Sequence, residues 1–209
     1  MKRNTVILVG PPGAGKSTVG RRLAENLPGW CFYAATGDMV RNLMGQDSEL
    51  AEKVRGFTRE GKLTPDPIIC DMLQDYLDYM TTSKVYCPSH QFLILDGSPR
   101  TLAQAEEMKH TLAFVEVYHC RLSDQLASDR ILVTRAAELE AQVKPKRLDD
   151  TPAAVAKRLH EYHLLTEPTL DFYRQEGVPI THFDMSRTKS EVHSAMENHF
   201  RTFTLDRSV

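Results

Sequence analysis

The sequence predicts an α/β protein: a parallel β-sheet sandwiched between helices. Two observations carry that expectation. Short apolar or β-branched runs alternate along the chain with longer helical patterns, and strands that alternate with helices pair in parallel and are covered on both faces. The first of these strands also runs directly into a glycine-rich loop, "GPPGAGKST" from Gly10 to Thr18, which opens a helix.

Taken in order, Thr5–Val9 "TVILV" is the first strand and Lys16–Asn26 the first helix. Trp30–Ala34 is a weaker strand pattern. Ser48–Glu60 and Pro67–Met80 read as helices, followed by the apolar strand Phe92–Leu95 and a helix over Leu102–Thr111. Phe114–His119 is a further strand, Ser123–Thr134 and Pro152–Gln175 are helices, and Ile180–Phe183 with Lys189–Phe203 complete the alternation. Two stretches do not read as core. Gly37–Pro65 is polar and largely helical, and Ala136–Asp150 is charged with no buried-strand pattern. Both are expected to project from the ligand edge of the sheet as moving lids.

The chain has 209 residues, which suits one domain with small insertions. A net charge of −2 gives no bulk attraction for nucleic acid or for a membrane surface, so any basic site must be a local cluster. Cys31, Cys70, Cys87 and Cys120 form no C-x-x-C pair, which argues against structural zinc. Scattered reduced thiols fit a cytoplasmic protein. The apolar run after Met1 is too short for a signal peptide, and no segment is long enough to span a bilayer.

Gly10 to Ser17 match G-x-x-x-x-G-K-[ST], and the strand before and helix after supply the context that gives this motif meaning. Glycines let backbone N–H groups curl around phosphate oxygens. The helix that follows begins with unpaired N–H groups and a positive dipole end. Lys16 brings a compact charge to the outer phosphates, and Ser17 can reach Mg²⁺. The strand of "FLILDGSPRT" ends in Asp96, where ligands sit in parallel sheets. Its carboxylate can orient metal-bound water, although a turn or helix-capping role also fits. Gly97 turns the chain, and Pro99 fixes the direction of Arg100, whose guanidinium suits bidentate phosphate binding. Arg130, Arg135, Arg147 and Arg158 follow. Each alone also fits a solvated surface. Together with the loop they form a clamp suited to phosphoryl transfer onto a phosphate acceptor.

In this order the motifs resemble the adenylate kinase family, among the nucleoside monophosphate kinases. "GPPGAGKST", "TGDMVR" (Thr36 to Arg41), "GKLTPD" (Gly61 to Asp66), "LDGSPRTLAQAE" (Leu95 to Glu106), "RLDDTPAAVAKRLHEY" (Arg147 to Tyr162) and "TEPTLDFY" (Thr166 to Tyr173) are similar to its signatures. The resemblance implies a P-loop NTPase fold with core segments 1–35, 66–134 and 151–209, an AMP-binding insertion over 36–65 and a short lid over 135–150. It implies ATP and AMP as substrates, Mg²⁺ held by Ser17 and Asp96, and a monomer. Gly13, Ala14, Gly15, Lys16, Ser17 and Thr18 would bind the ATP phosphates, with Arg130, Arg135 and Arg187 on the same side. Thr36, Arg41, Lys62, Leu63, Thr64 and Gly97 would face AMP, with Arg100 on its phosphate and Gln104 at the adenine edge. Lys16, Arg100, Arg147 and Arg158 would act on the transferring group.

Several positions depart from the family pattern. Ser17 stands where glycine is usual, and Ser98 replaces the phenylalanine of G-F-P-R. Ala34-Ala35 precede "TGD" in place of Ile-Ser, and in "DRILVTR" the arginines are one residue further apart than usual. The alternatives are a sister kinase acting on UMP or CMP, a P-loop kinase of another metabolite, and a non-catalytic nucleotide-binding module. Thr36 with the Thr101…Gln104 pair argues against the first, the AMP-side motifs against the second, and Lys16 with the arginines against the third.

Overall fold

The computed structural model describes residues 2–59, 62–135 and 150–205. Five strands form one sheet: β1 (Arg3–Val9), β2 (Cys31–Ala35), β3 (Phe92–Asp96), β4 (Leu112–Arg121) and β5 (Ile180–Asp184). Their spatial order is β2-β3-β1-β4-β5, and every neighbouring pair is parallel. The helices are α1 (Lys16–Asn26), α2 (Thr36–Met44), α3 (Glu49–Arg59), α4 (Asp66–Thr82) and α5 (Leu102–Met108), then α6 (Asp124–Asp129), α7 (Pro152–Glu161), α8 (Thr169–Gln175) and α9 (Lys189–Leu205). Among the described residues no helix is long and apolar enough to cross a membrane. All four cysteines are free thiols.

The central strand shows why the sheet must be covered twice. Val6 and Leu8 of β1 pack into a core shared with α1 and α9, while Ile7 and Val9 pack into a second core shared with α4, α5 and α8. Apolar residues on both faces of a strand are stable only when helices cover both. A smaller cluster of Ala127, Ile131, Val155 and Leu159 joins α6 to α7.

The predicted strands are present, and Trp30–Ala34, the weakest pattern, is the full strand β2 shifted by one residue. β4 is longer than Phe114–His119 at both ends; at its start, the helix predicted to run to Thr111 stops at Met108 and the chain enters the sheet at Leu112. Two long helical patterns are interrupted. Ser123–Thr134 becomes α6 followed by a π-helical turn over Arg130–Arg135. Pro152–Gln175 becomes α7, a π-helical turn over Tyr162–Thr166, and α8. The π winding has a direct consequence. Its i→i+5 hydrogen bonds place residues five apart one turn apart, as an α-helix places residues four apart. The segment over 36–65 does carry helices, and Ala51 and Val54 of α3 are fully buried. The lid segment Ala136–Asp150 lies outside the described residues except for Asp150.

A bulge in β4 also shapes the edge of the sheet. Thr5 pairs with Phe114 and Val6 with Glu116, so one extra residue, Val115, sits between them. Bulges bend a strand and re-aim its side chains. Glu116 is consequently buried, where its Oε1 accepts from Thr181 Oγ1 at 2.7 Å and bonds His199 Nε2 of α9 at 2.6 Å. His199→Ala would leave a buried carboxylate with Thr181 as its remaining donor among the described residues. We expect a loss of about 1–3 kcal/mol in unfolding free energy, measured by urea denaturation at neutral pH.

Candidate active site

The loop between β1 and α1 is shaped by close contacts. Gly13 has φ +84°, and a Cβ there would lie 2.4 Å from the Ala127 carbonyl oxygen of α6. No side chain fits, so the loop can approach α6 only with glycine at this position. Lys16 folds back over the loop, its Nζ donating to the carbonyls of Gly10 at 2.7 Å and Pro11 at 2.9 Å. Burial pulls its ammonium below the ordinary lysine range, and the carboxylate of Asp96 opposes that pull.

Asp96 ends β3 and is buried. The phenol of Tyr33, on β2, donates to its Oδ2 at 2.9 Å. Burial and the Asp96 charge raise the pKa of that phenol, which keeps it a donor. Thr36 opens α2 directly after β2, and its hydroxyl lies 3.4 Å from the Asp96 carbonyl oxygen. Gly97 has φ +87°, and a Cβ there would come 2.8 Å from Thr36 Oγ1. The turn that aims Arg100 therefore packs against the start of α2.

Arg100 donates from Nε to the Gly97 carbonyl at 2.7 Å. Its own backbone N–H donates to Gln104 Oε1 at 2.7 Å. Gln104 is 2% exposed and donates from Nε2 to Asp66 Oδ1 at 2.7 Å. Thr101 caps α5 and donates its hydroxyl to the other oxygen of Asp66, again at 2.7 Å. Asp66 thus ties the first residue of α4 to the loop that carries Arg100. On the neighbouring helix α2, Asp38 pairs with both Arg41 and Arg21.

These elements border one cleft of about 490 Å³ at the carboxyl edge of the sheet. Gly13, Ala14, Gly15, Lys16, Ser17 and Thr18 line it from the loop and the first turn of α1. Arg41, Leu63, Asp96, Gly97 and Arg100 line it on the side of β3, and Arg130, Arg158 and Arg187 line it elsewhere. Arg130 donates to the Met185 carbonyl at 2.7 Å, and Arg158 lies 3.7 Å from the Asp150 carboxylate. Arg187 lies 3.8 Å from Asp184. Thr36, Lys62, Thr64 and Gln104 do not line the cleft: Thr36, Thr64 and Gln104 are buried and Lys62 is exposed. Arg147 and the side chain of Arg135 lie outside the described residues.

The adenylate kinase family model matches residues 8–178, most of the chain and every element of this cleft up to α8. The chain belongs to the adenylate kinase family. It is accordingly a nucleoside monophosphate kinase, a phosphotransferase. Among curated relatives, the adenylate kinase of Bartonella tribocorum is 34% identical over 179 residues, covering 83% of this chain and 88% of its own. That of a Cyanothece species is 33% identical over 193 residues, covering 92% and 93%. That of Parvibaculum lavamentivorans is 36% identical over 177 residues, covering 82% and 80%.

Ser98, which stands where the family pattern has phenylalanine, is buried in the cleft wall. Sequence reasoning passed over Asp66, although "GKLTPD" ends on it and a carboxylate at the start of a helix is a recognisable signal. It also passed over Glu161 and Tyr162, which line the cleft from the end of α7. Burial raises the Glu161 carboxyl above the usual range against the pull of Lys157 and Arg100. The Asp66 network gives a thermodynamic test. Asp66→Ala and Gln104→Leu should each destabilise by about 1–3 kcal/mol through unpaired buried groups. Because both break the same network, the double variant should lose less than the sum in a denaturant-based double-mutant cycle.

Proposed function

We propose that the protein is an adenylate kinase, catalysing Mg²⁺-dependent, reversible transfer of the γ-phosphoryl group of ATP to AMP to give two ADP. The observation that carries this reading is one cleft lined both by Lys16 with its loop and by Arg41 with Arg100. Two guanidiniums at the acceptor end suit a phosphate acceptor, which a hydroxyl acceptor would not require.

In the reaction an oxygen of the AMP phosphate forms a bond to the γ-phosphorus, and the bond from that phosphorus to the bridging oxygen breaks, leaving ADP. The acceptor oxygen already carries negative charge, so positioning and charge stabilisation matter more than a general base. Gly13 to Thr18 would hold the ATP phosphates, with Lys16 exchanging the Gly10 and Pro11 carbonyls for phosphate oxygens. Arg130 and Arg187 would act on the ATP side, joined by Arg135. Arg158 and Arg147 would reach the transferring group. Ser17 and Asp96 fit Mg²⁺ as hard oxygen donors lining the same cleft. Tyr33 occupies one oxygen of Asp96, and a carboxylate has lone pairs beyond one bond. Bound there with ATP, the metal would neutralise developing phosphate charge.

On the acceptor side, Arg100 would hold the AMP phosphate and Arg41 would join it. Gly97 and Leu63 line that wall, and Thr36 with the backbone of Lys62 and Thr64 would join it when the segment 36–65 closes. Gln104 does not line the cleft, but it keeps one N–H and one lone pair beyond its bonds to Asp66 and Arg100, which would read the adenine edge once AMP binding uncovers them. A pyrimidine would leave such groups unpaired at a cost of about 1–3 kcal/mol each, or about 5- to 150-fold per group. We expect AMP to lead GMP, UMP and CMP clearly in direct competition with ATP as donor. Gln104→Leu should lose much of that lead, and Lys16→Met should lower kcat by orders of magnitude while folding normally. Turnover of UMP or CMP as fast as AMP would reassign the acceptor.

The segments 36–65 and 135–150 would close over opposite ends of the cleft to keep water from the phosphoryl group. A bisubstrate analogue joining two adenosines through phosphates should slow hydrogen exchange in both segments. Unchanged exchange in both would count against closure.

A further inference from the structure

We propose that His119 and His182 form a two-imidazole site for an exchangeable divalent transition-metal cation of the Cu²⁺, Ni²⁺ or Zn²⁺ class. The two histidines are register partners on the adjacent strands β4 and β5. Their Nδ1 atoms lie 3.1 Å apart. Two nitrogens bound to one such cation at about 2.0–2.1 Å stand about 2.8–3.4 Å apart, in square-planar through tetrahedral geometry. The separation in the protein falls within that bite without any movement of the strands.

Hydrogen bonding leaves His119 a nitrogen to offer. His119 is 8% exposed, and its Nε2 lies 3.3 Å from the hydroxyl of Tyr162. When that hydroxyl accepts, the proton is fixed on Nε2 and Nδ1 is left as a ligand, the arrangement by which outer partners orient metal-binding histidines. The hydrogen shared between the two Nδ1 atoms can move to Nε2 of His182 as a change of tautomer.

β5 is an edge strand and His182 is exposed, which gives solvent cations a route in. Among the described residues no group of three or more donor side chains surrounds one point, so water would complete the coordination. Arg121 and Arg174 bear on His119 with positive charge, and Glu167 offsets them with negative charge. An open two-histidine site of this kind holds its cation reversibly. Imidazole donors also select against Mg²⁺, which prefers oxygen, so the site is chemically separate from one for nucleotide-borne magnesium.

The test uses the full chain after dialysis against a chelator. Substoichiometric Cu²⁺ should broaden the imidazole NMR signals of His119 and His182 before those of the other histidines. By calorimetry with Zn²⁺, His182→Ala should weaken the strongest site by about tenfold or more, while His90→Ala on the exposed turn before β3 leaves it unchanged. His182 is exposed, so its variant is expected to fold, and thermal unfolding checks this. Equal broadening of all exposed histidines, no measurable binding, or an unchanged strongest site in His182→Ala would each overturn the proposal.

Discussion

The parallel pairing of β1 with β3, in the register that sets Leu8 opposite Asp96, fixes the rest of the site. Because both strands run the same way, both end at the same edge. The loop leaving β1 carries Lys16, and the turn leaving β3 carries Gly97 and Arg100, so phosphate-binding groups from distant parts of the sequence start a few ångströms apart. β2 pairs on the other side of β3 with Ala35 opposite Asp96, which delivers the start of α2 to the same edge. A register slip of one residue would turn Asp96 to the other face and bury the charge without its Tyr33 partner.

Around that edge, polar groups are satisfied in two different ways. The Asp66, Thr101, Gln104 and Arg100 backbone network is buried and mutually bonded, so it holds the Arg100 loop to the first residue of α4. Asp38 with Arg21 and Arg41 is a more exposed ionic cluster, where solvent screens the charges and little energy opposes rearrangement. The first arrangement suits a fixed wall. The second suits a side chain that changes partners when an anion arrives.

The sequence made the architecture legible where local and global signals agree. β1 is apolar on both faces and is followed by its loop, so strand, turn and helix could each be read from a few residues. Less was legible where tertiary contacts overrule the local pattern. The helical periodicity over Pro152–Gln175 continues through a break that Pro168 and the winding at Tyr162 impose, and no spacing rule distinguishes a π turn from an α turn of the same composition. The buried Glu116 depends on a bulge set by strand pairing. In the site, the P-loop and Arg100 followed from motif and direction. The double bonding of Gln104 did not, because it depends on Asp66, which is 38 residues earlier in the chain and meets it only in the fold.

The cations of the cleft show how the protein prepares charge for phosphate without leaving it unpaired. Lys16 bonds the Gly10 and Pro11 carbonyls, Arg100 the Gly97 carbonyl and Arg130 the Met185 carbonyl, while Arg41, Arg158 and Arg187 stand by carboxylates. Each partner is an oxygen, and a phosphate also offers oxygens. Binding therefore exchanges one oxygen for another, and no buried cation passes through an unpaired state. The carbonyl-held cations are already oriented, so stabilising charge as the phosphoryl group moves requires little reorganisation of the protein. The carboxylate-held ones must give up an opposite charge. They can do so at low cost only when a multiply charged phosphate replaces it, which favours polyanionic substrates over neutral ones at the same edge.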